Sequence, residues 1–376
     1  MKAAIYSISS SLHRGLPCLE DDPFLVSIQT ALGYRFEFFG EDFSTWGDFP
    51  DSFIYVRTGG TEGIFKKLNL EGRIRLLTSG RENSLAAAME ILASIKATGG
   101  EGEIIHGSPE QIASRMLEPG SPEVPAQFLP LPSIDFGGAR LGVIGRPSDW
   151  LIASDVDPDV AKSKLGLELV DIPISELIDE VRAKDCDLRS FAGSEAIYDV
   201  LKGMVKRYGL SGLTLRCFDL LDTIGNTGCL ALARLNSEGT VSSCEGDVPT
   251  LITMMMAEKL YGVPGFQCNL SRINEDELLF AHCTVPLSMV RSFTYATHFE
   301  SGLGTAIKGE LPEGDVLIMK VSPQLDRMIS IPARLLRNQS EEGLCRTQVV
   351  VSAPGAAGYF LQDPLANHHV IVPVSE

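Results

Sequence analysis

The sequence predicts an α/β protein with two α/β domains and a third, β-rich domain at the C-terminal end. Strand-like and helix-like runs alternate over about the first 270 residues, and a proline-rich segment divides them into two blocks. Short strand-like runs separated by turn residues fill the rest of the chain, as in a mainly antiparallel sheet or barrel. We therefore expect domains at residues 1–133, 134–272 and 273–376.

The first block alternates strands with helices. DPFLVSIQTALGY has apolar residues at helical spacing. NSLAAAMEILASIKATGG is the clearest helix, because Asn83 or Ser84 suits its N-cap and a glycine pair ends it. The strands predicted around these helices are AAIYSI, FIYVRTG, RIRLLTSG and EGEIIHG. Such alternation predicts a parallel sheet with helices on its faces.

Residues 117–138 contain five prolines and no sustained periodicity, so we expect a linker there. The second block follows with the strands ARLGVIGRP, LGLELVDIP and LTLRCFDLL, and with helices between and after them. After about Asn269 the pattern changes to short β-like runs: DELLFAHCTV, HFESGLGTAIKG, GDVLIMKVS, MISIPARLLR, CRTQVVVSA and NHHVIVPV.

Composition and charge exclude several classes of function. The 376 residues are 44% hydrophobic and 22% charged, which is typical of a globular chain. A formal charge of −17 argues against nucleic-acid and anionic-membrane partners, because both need a positive patch. No run of about 18 apolar residues predicts a transmembrane helix, and the N-terminus lacks the regions of a signal peptide. We expect a cytoplasmic protein without membrane contact.

Common motifs for nucleotide binding and nucleophilic catalysis are absent. The sequence has no GxxxxGK[ST], GxSxG or CxxC, and the glycines near Gly59 and Gly142 do not form GxGxxG at a strand-to-helix turn. Its eight cysteines are scattered, which argues against a zinc ribbon and against a disulfide scaffold.

The most informative carboxylates lie in the run Cys244-Glu245-Gly246-Asp247, directly before a long apolar helix. Asp247 suits the N-cap of that helix. Glu245 lies at the carboxyl end of a predicted strand, where open α/β sheets bind their ligands. We expect either a metal or acid/base role for Glu245, or only a favourable interaction with the helix dipole.

Four of the six histidines, His282, His298, His368 and His369, lie in the last quarter of the chain. Neutral imidazole is the commonest protein ligand of transition metals, so this clustering indicates a metal site. Because adjacent side chains of a strand point to opposite faces, at most one of His368 and His369 faces a given pocket.

Four runs resemble the L-fucose isomerase and L-arabinose isomerase superfamily: GCLALARLNSEGTVSSCEGDVPTLITMM, FAHCTVP, HFESGLGTAIKGELPEG and NHHVIV. The resemblance is closest to the shorter L-fucose isomerase-like members and covers about residues 210–376. It implies two Rossmann-like α/β domains followed by a C-terminal, mainly antiparallel β-barrel. It also implies a homo-oligomer, either a trimer or a hexamer.

The same resemblance implies an aldose–ketose isomerase, an intramolecular oxidoreductase that works through an enediolate and uses a divalent cation, with Mn²⁺ as the expected ion. Glu245 matches the family's first catalytic glutamate and metal ligand, His282 matches a histidine ligand, and His368 or His369 matches another. Asn269 stands about 24 residues after Glu245, near the family's second carboxylate. We keep Asn269 as a catalytic and metal-ligating candidate, although an amide ligates through its carbonyl and accepts no proton.

The expected substrate is a small carbohydrate similar to L-fucose or arabinose. Arg57, His298 and Glu300 are candidates for contacting it. Two other interpretations stay open. One is a metal enzyme of the same fold that acts on a modified sugar or sugar acid by a different reaction, which Asn269 supports. The other is a sugar-binding protein without catalysis, which tight metal binding would argue against.

Overall fold

The computed structural model describes residues 3–11, 15–117 and 128–374. They form two compact units. The first contains the described residues up to 117 together with 270–279 and 353–367, and the second contains 128–269, 280–352 and 368–374. Residues 118–127 of the predicted linker lie outside the described residues. The division into domains at 1–133, 134–272 and 273–376 stays a prediction.

The first unit is built on a parallel five-stranded sheet with the strand order β2-β1-β3-β4-β5. The predicted strands are present, and β2 is an additional one. The strands are β1 (Ala4–Ile8), β2 (Glu37–Gly40), β3 (Ser52–Val56), β4 (Ile74–Thr78) and β5 (Gly102–Ile105). The helices are α1 (Pro23–Leu32), α2 (Glu62–Leu68), α3 (Ser84–Ala97) and α4 (Pro109–Leu117), with a 3₁₀ turn at Leu19–Asp21.

The second unit contains a parallel four-stranded sheet with the order β10-β9-β7-β8. Its strands, with the short β6 that precedes them, are β6 (Leu129–Pro130), β7 (Ala139–Ile144), β8 (Leu167–Ile172), β9 (Gly212–Leu215) and β10 (Val241–Cys244). Its helices are α5 (Pro158–Leu165), α6 (Ile174–Arg182), α7 (Phe191–Tyr208), α8 (Asp219–Ile224), α9 (Cys229–Ser237) and α10 (Val248–Tyr261).

Six further strands form the predicted antiparallel barrel, in the order β15-β18-β11-β12-β17-β16, and pairing of β15 with β16 closes it. They are β11 (Phe266–Asn274), β12 (Glu277–His282), β15 (Gly314–Val321), β16 (Arg327–Gln339), β17 (Thr347–Ser352) and β18 (His369–Pro373). Strand β6 pairs with β16. The remaining elements are a separate hairpin of β13 (Ser292–Ala296) and β14 (Ala306–Glu310), a 3₁₀ turn at Leu287–Met289, and helix α11 (Ala357–Gln362).

Helix α10 connects the parallel sheet to the barrel within the second unit. Its methionines 254–256 are buried in one apolar cluster with residues of β7, β15 and β18. These methionines therefore fill the core, and their packing holds the middle of α10 against the sheet and the barrel. Among the residues that the structure describes, no helix combines the length and apolarity needed to cross a membrane.

Candidate active site

The turn between β10 and α10 holds Glu245 in an unusual backbone conformation. Glu245 has φ +65° and Gly246 has φ +72°, so two consecutive residues lie in the left-handed region. Gly246 is required there, because a Cβ atom would lie 2.4 Å from the carbonyl oxygen of Arg146. A left-handed glutamate is uncommon and costs free energy, and such residues cluster at functional sites.

Asp247 performs the predicted capping role and also contacts a histidine. Its Oδ1 accepts a hydrogen bond of 2.7 Å from the backbone N–H of Thr250, which caps α10. Its Oδ2 lies 2.8 Å from Nδ1 of His368 and 3.6 Å from Nζ of Lys320. Asp247, His368 and Lys320 are all fully buried. The capping carboxylate therefore also orients a ring of the candidate site.

Glu245, His282 and His368 bring three donor atoms to within 4.8 Å of one another. Oε1 of Glu245 lies 3.3 Å from Nε2 of His368 and 3.9 Å from Nε2 of His282. The two imidazole rings are nearly perpendicular, with their centroids 5.6 Å apart. Nδ1 of His282 shares a 2.8 Å hydrogen bond with Thr284. Each ring is thus held through Nδ1, and Nε2 of each faces the carboxylate.

The buried charges of this cluster stabilise one another. Burial alone raises the pKa of Glu245, but the adjacent His368 and His282 outweigh it and hold that pKa well below its usual range. Burial alone lowers the pKa of His368, yet Glu245 and Asp247 raise it to about 10. Without a bound cation His368 therefore carries a proton at neutral pH. A cation that binds here has to displace this proton.

Asn269 lies on the strand face that points at the Glu245 turn. Gln267 accepts a 2.7 Å hydrogen bond from the backbone N–H of Cys244, the residue before Glu245. Since side chains two positions apart share a face, Asn269 points the same way as Gln267. Asn269 is 4% exposed, and its Oδ1 has no hydrogen-bond partner among the described residues. A buried amide oxygen without a donor is costly and suits a cation.

The donor set fits a divalent cation. One carboxylate and two imidazoles, with an amide oxygen nearby, form a mixed O and N set of the kind that manganese and similar cations accept. Nε2 of His368, like Oδ1 of Asn269, is buried without a hydrogen-bond partner among the described residues. A cation held by the cluster would satisfy Nε2 of His368. The geometry therefore provides a possible metal site and leaves the identity of the metal open.

The other predicted site residues are His369, His298, Glu300 and Arg57, and each has its own surroundings. His369, the first residue of β18, is not among the donors of the cluster within the described part of the chain. His298 packs edge-on against Phe218, and Glu300 follows in the same loop. Arg57 belongs to the first unit, where it donates to the carbonyl of Pro17 and to Asp22.

Two residues of the site were missed by the sequence analysis. The indole Nε1 of Trp150 donates a 2.6 Å hydrogen bond to Oε2 of Glu245, and its ring packs edge-on against Phe218, with centroids 4.8 Å apart. Lys320 supports Asp247 from β15. Nothing in the run GRPSDW signals contact with Glu245. A lysine inside the apolar run GDVLIMKVS is a signal, because lysine is rarely buried without a partner.

Comparison with characterised proteins adds an independent observation. No protein-family model matches the chain. A protein of Clostridium sp. (strain MSTE9) is 29% identical over 166 residues, which cover 41% of this chain and 37% of the relative. Proteins of Priestia megaterium and Alkalicoccus urumqiensis are 27% and 25% identical over 210 and 209 residues. These relatives are sulfoquinovose isomerases.

The matches agree with the predicted class, a sugar isomerase, and they name a different sugar for the relatives. The relatives' names give a modified sugar, sulfoquinovose, where the sequence analysis expected fucose or arabinose. The aligned segments cover less than half of the length of each of the three relatives, at 37%, 47% and 47%. Membership of the L-fucose and L-arabinose isomerase superfamily stays a prediction.

Proposed function

We propose that this chain is an aldose–ketose isomerase that depends on a divalent cation, with Mn²⁺ as the expected ion. The observation that carries the proposal is the cluster of Glu245, His282 and His368, whose donor atoms lie within 4.8 Å of one another. Two buried polar atoms, Nε2 of His368 in the cluster and Oδ1 of Asn269, have no hydrogen-bond partner among the described residues. The similarity to sulfoquinovose isomerases supports the same class of reaction.

Glu245, His282, His368 and Asn269 would hold the cation. When bound, it would polarise the carbonyl and the neighbouring hydroxyl of an open-chain sugar. We assign His282 and His368 to binding through Nε2, because their Nδ1 atoms are already engaged by Thr284 and Asp247. Asn269 would contribute its carbonyl oxygen and no negative charge.

Glu245 is the carboxylate that we assign to proton transfer. Isomerisation takes a proton from the carbon next to the carbonyl and returns one to the former carbonyl carbon, while the hydroxyl proton moves to the carbonyl oxygen. Asn269 cannot accept a proton, so Glu245 would perform the carbon-to-carbon transfer through an enediolate. Its low pKa in the cation-free protein keeps it ionised, as a base has to be.

We infer that the substrate carries an anionic substituent, as sulfoquinovose does with its sulfonate. Arg216 directly follows strand β9, which neighbours β10 in the sheet, and Arg146 follows two residues after the end of β7, which neighbours β9. Arg216 is engaged by Asp149 and Asp219. Arg146 is exposed and makes no ion pair with the described residues, so it is the guanidinium that we assign to the anion.

The aromatic side chains beside Glu245 suit the apolar face of a sugar. Trp150 contacts Glu245, Phe218 packs against Trp150, and His298 packs against Phe218 at a centroid distance of 5.4 Å. We propose that this row forms one wall of the substrate site, with His298 and Glu300 contacting hydroxyl groups. Arg57 stays a candidate for substrate binding.

The test is turnover of sulfoquinovose in the presence of Mn²⁺ by the wild type and by Glu245→Gln. We expect isomerisation by the wild type and a loss of at least about a hundredfold in kcat for the variant, because the base is removed. Solvent deuterium should appear at the product carbon that receives the proton. Turnover without deuterium incorporation, or an unaffected variant, would contradict the role of Glu245.

A second candidate function rests on Asn269. Asn269 stands near the place where the resembling family has a second carboxylate. A site with Glu245 as its one carboxylate also suits a metal enzyme that acts on a modified sugar by a reaction other than isomerisation. Metal-dependent consumption of the sugar without a ketose product would favour it. Metal-free sugar binding would favour a binding protein instead. The homo-oligomer, either a trimer or a hexamer, and the cytoplasmic location stay predictions.

A further inference from the structure

Lys320 is a fully buried lysine next to the candidate metal site. Its Nζ donates a 2.9 Å hydrogen bond to Oγ1 of Thr250 and lies 3.6 Å from Oδ2 of Asp247. Both Lys320 and Asp247 are 0% exposed. A lysine is almost never buried in this way without a charged partner, and here the partner is the carboxylate that contacts His368.

Stability alone does not account for this buried ion pair. Removing two charges from water costs several kcal/mol per ion, and replacing a buried ion pair by apolar side chains is often neutral or stabilising. Helix α10 also does not need Lys320 for its cap, because Thr250 donates its backbone N–H directly to Asp247. Capping of α10 therefore does not explain why Lys320 is buried beside Asp247.

The two carboxylate oxygens of Asp247 have different partners. Its Oδ1 is fixed by the backbone of Thr250, and its Oδ2 lies between Nζ of Lys320 and Nδ1 of His368. The backbone of Thr250 thus fixes the orientation of the carboxylate group, and the charge of Lys320, 3.6 Å from Oδ2, balances the charge of the carboxylate. A carboxylate that is fixed in this way sets the orientation of the imidazole and directs Nε2 towards Glu245.

We propose that Lys320 is a positioning residue for metal binding, which acts through Asp247 to orient His368 towards the cation. The inference rests on the proposed function, because it assumes that Glu245, His282 and His368 bind a metal. It adds a residue that contacts neither the cation nor the substrate. Groups that hold a ligating histidine typically change metal affinity about 10- to 100-fold when they are removed.

The experiment measures the Kd of Mn²⁺ by calorimetry on the folded full-length protein. Lys320→Met and Asp247→Asn are each compared with the wild type and with the double variant. We expect Lys320→Met to weaken binding about 10- to 100-fold, and the double variant to bind about as weakly as Asp247→Asn alone, because both act through one contact. Lys164→Met is the matched control, since within the described residues the hydrogen bonds of Lys164 go to the backbone carbonyls of residues 324 and 325.

Thr250→Val provides a second variant in case Lys320→Met does not fold. It removes the hydroxyl that holds Lys320 and keeps the backbone N–H that caps α10. We expect a several-fold weaker Kd. A folded Lys320→Met protein with wild-type Kd, additive losses in the double variant, or wild-type binding by Thr250→Val would overturn the role of Lys320. Absence of Mn²⁺ binding by the wild type would instead overturn the proposed function itself.

Discussion

Replacing Trp150 by phenylalanine removes one hydrogen bond from Glu245 and little else. The indole Nε1 donates to Oε2 of Glu245 over 2.6 Å. A phenyl ring keeps most of the apolar surface that packs against Phe218. The substitution therefore separates the hydrogen bond from the packing, and it affects the carboxylate that we assign to metal binding and proton transfer.

The expected magnitude follows from the burial of the carboxylate. Glu245 is only 9% exposed, so water does not readily replace the indole N–H. A hydrogen bond to a charged group contributes about 1.5–3 kcal/mol, which corresponds to about a 10- to 150-fold change in an equilibrium or rate constant. We expect kcat/KM for the sugar to fall by this factor in Trp150→Phe, since the carboxylate loses its fixed orientation.

The assay is steady-state isomerisation at saturating Mn²⁺, with Trp46→Phe as the matched control. Trp46 is the other of the two tryptophans of the chain, and its Nε1 donates to a backbone carbonyl of the first unit. Trp46→Phe should leave kcat/KM within about twofold of the wild type. If Trp150→Phe retains wild-type kcat/KM, the indole does not position Glu245 and the reasoning is refuted.

Three other predictions concern histidines. His368→Ala should abolish Mn²⁺ binding while His369→Ala retains it, as measured by calorimetry; equal losses would contradict the assignment of the ligand. Because the pKa of His368 is raised to about 10 by Glu245 and Asp247, Mn²⁺ affinity should rise about tenfold per pH unit from pH 7 to 9, and a pH-independent Kd would contradict this. Burial lowers the pKa of His106 to about 4, below its ordinary 6.5. The unfolded chain therefore takes up a proton at this histidine at a higher pH than the folded protein does. The free energy of unfolding is unaffected above pH 6.5 and falls, by at most about 3 kcal/mol, as the pH falls to 4. The free energy of unfolding, measured with urea at several pH values, should fall less between pH 6.5 and pH 4 for His106→Gln than for the wild type. An equal fall in both proteins would contradict the assignment of this loss to His106.

The fold class could be predicted because it depends on local patterns. Alternating strands and helices indicate parallel sheets, and short runs between turn residues indicate an antiparallel barrel. The order of the barrel strands could not be predicted in this way. Strand β18 pairs with both β15 and β11, which are distant from it in the sequence, and hydrophobic periodicity does not specify such partners. Strand β2 was missed because it is short and only partly buried.

The candidate site was predictable where a residue type implies its chemistry. Glu245 was predicted because its carboxylate lies at the end of a strand. The histidines were predicted from their clustering and from the family resemblance. The choice between His368 and His369 depends on the register of β18, in which His369 pairs with Cys268, and the sequence does not specify this register. Trp150 reaches Glu245 from a loop, so only the tertiary structure shows its role.

The central claim is that Glu245, His282 and His368 bind a catalytic cation. The most direct test is the metal content of the purified protein together with a Mn²⁺ titration, comparing the wild type with Glu245→Ala. We predict about one divalent ion per chain for the wild type and none for the variant, because the variant loses the charged ligand of the cluster. A wild-type protein without bound metal and without affinity for Mn²⁺, or an equal ion content in both proteins, would contradict the account.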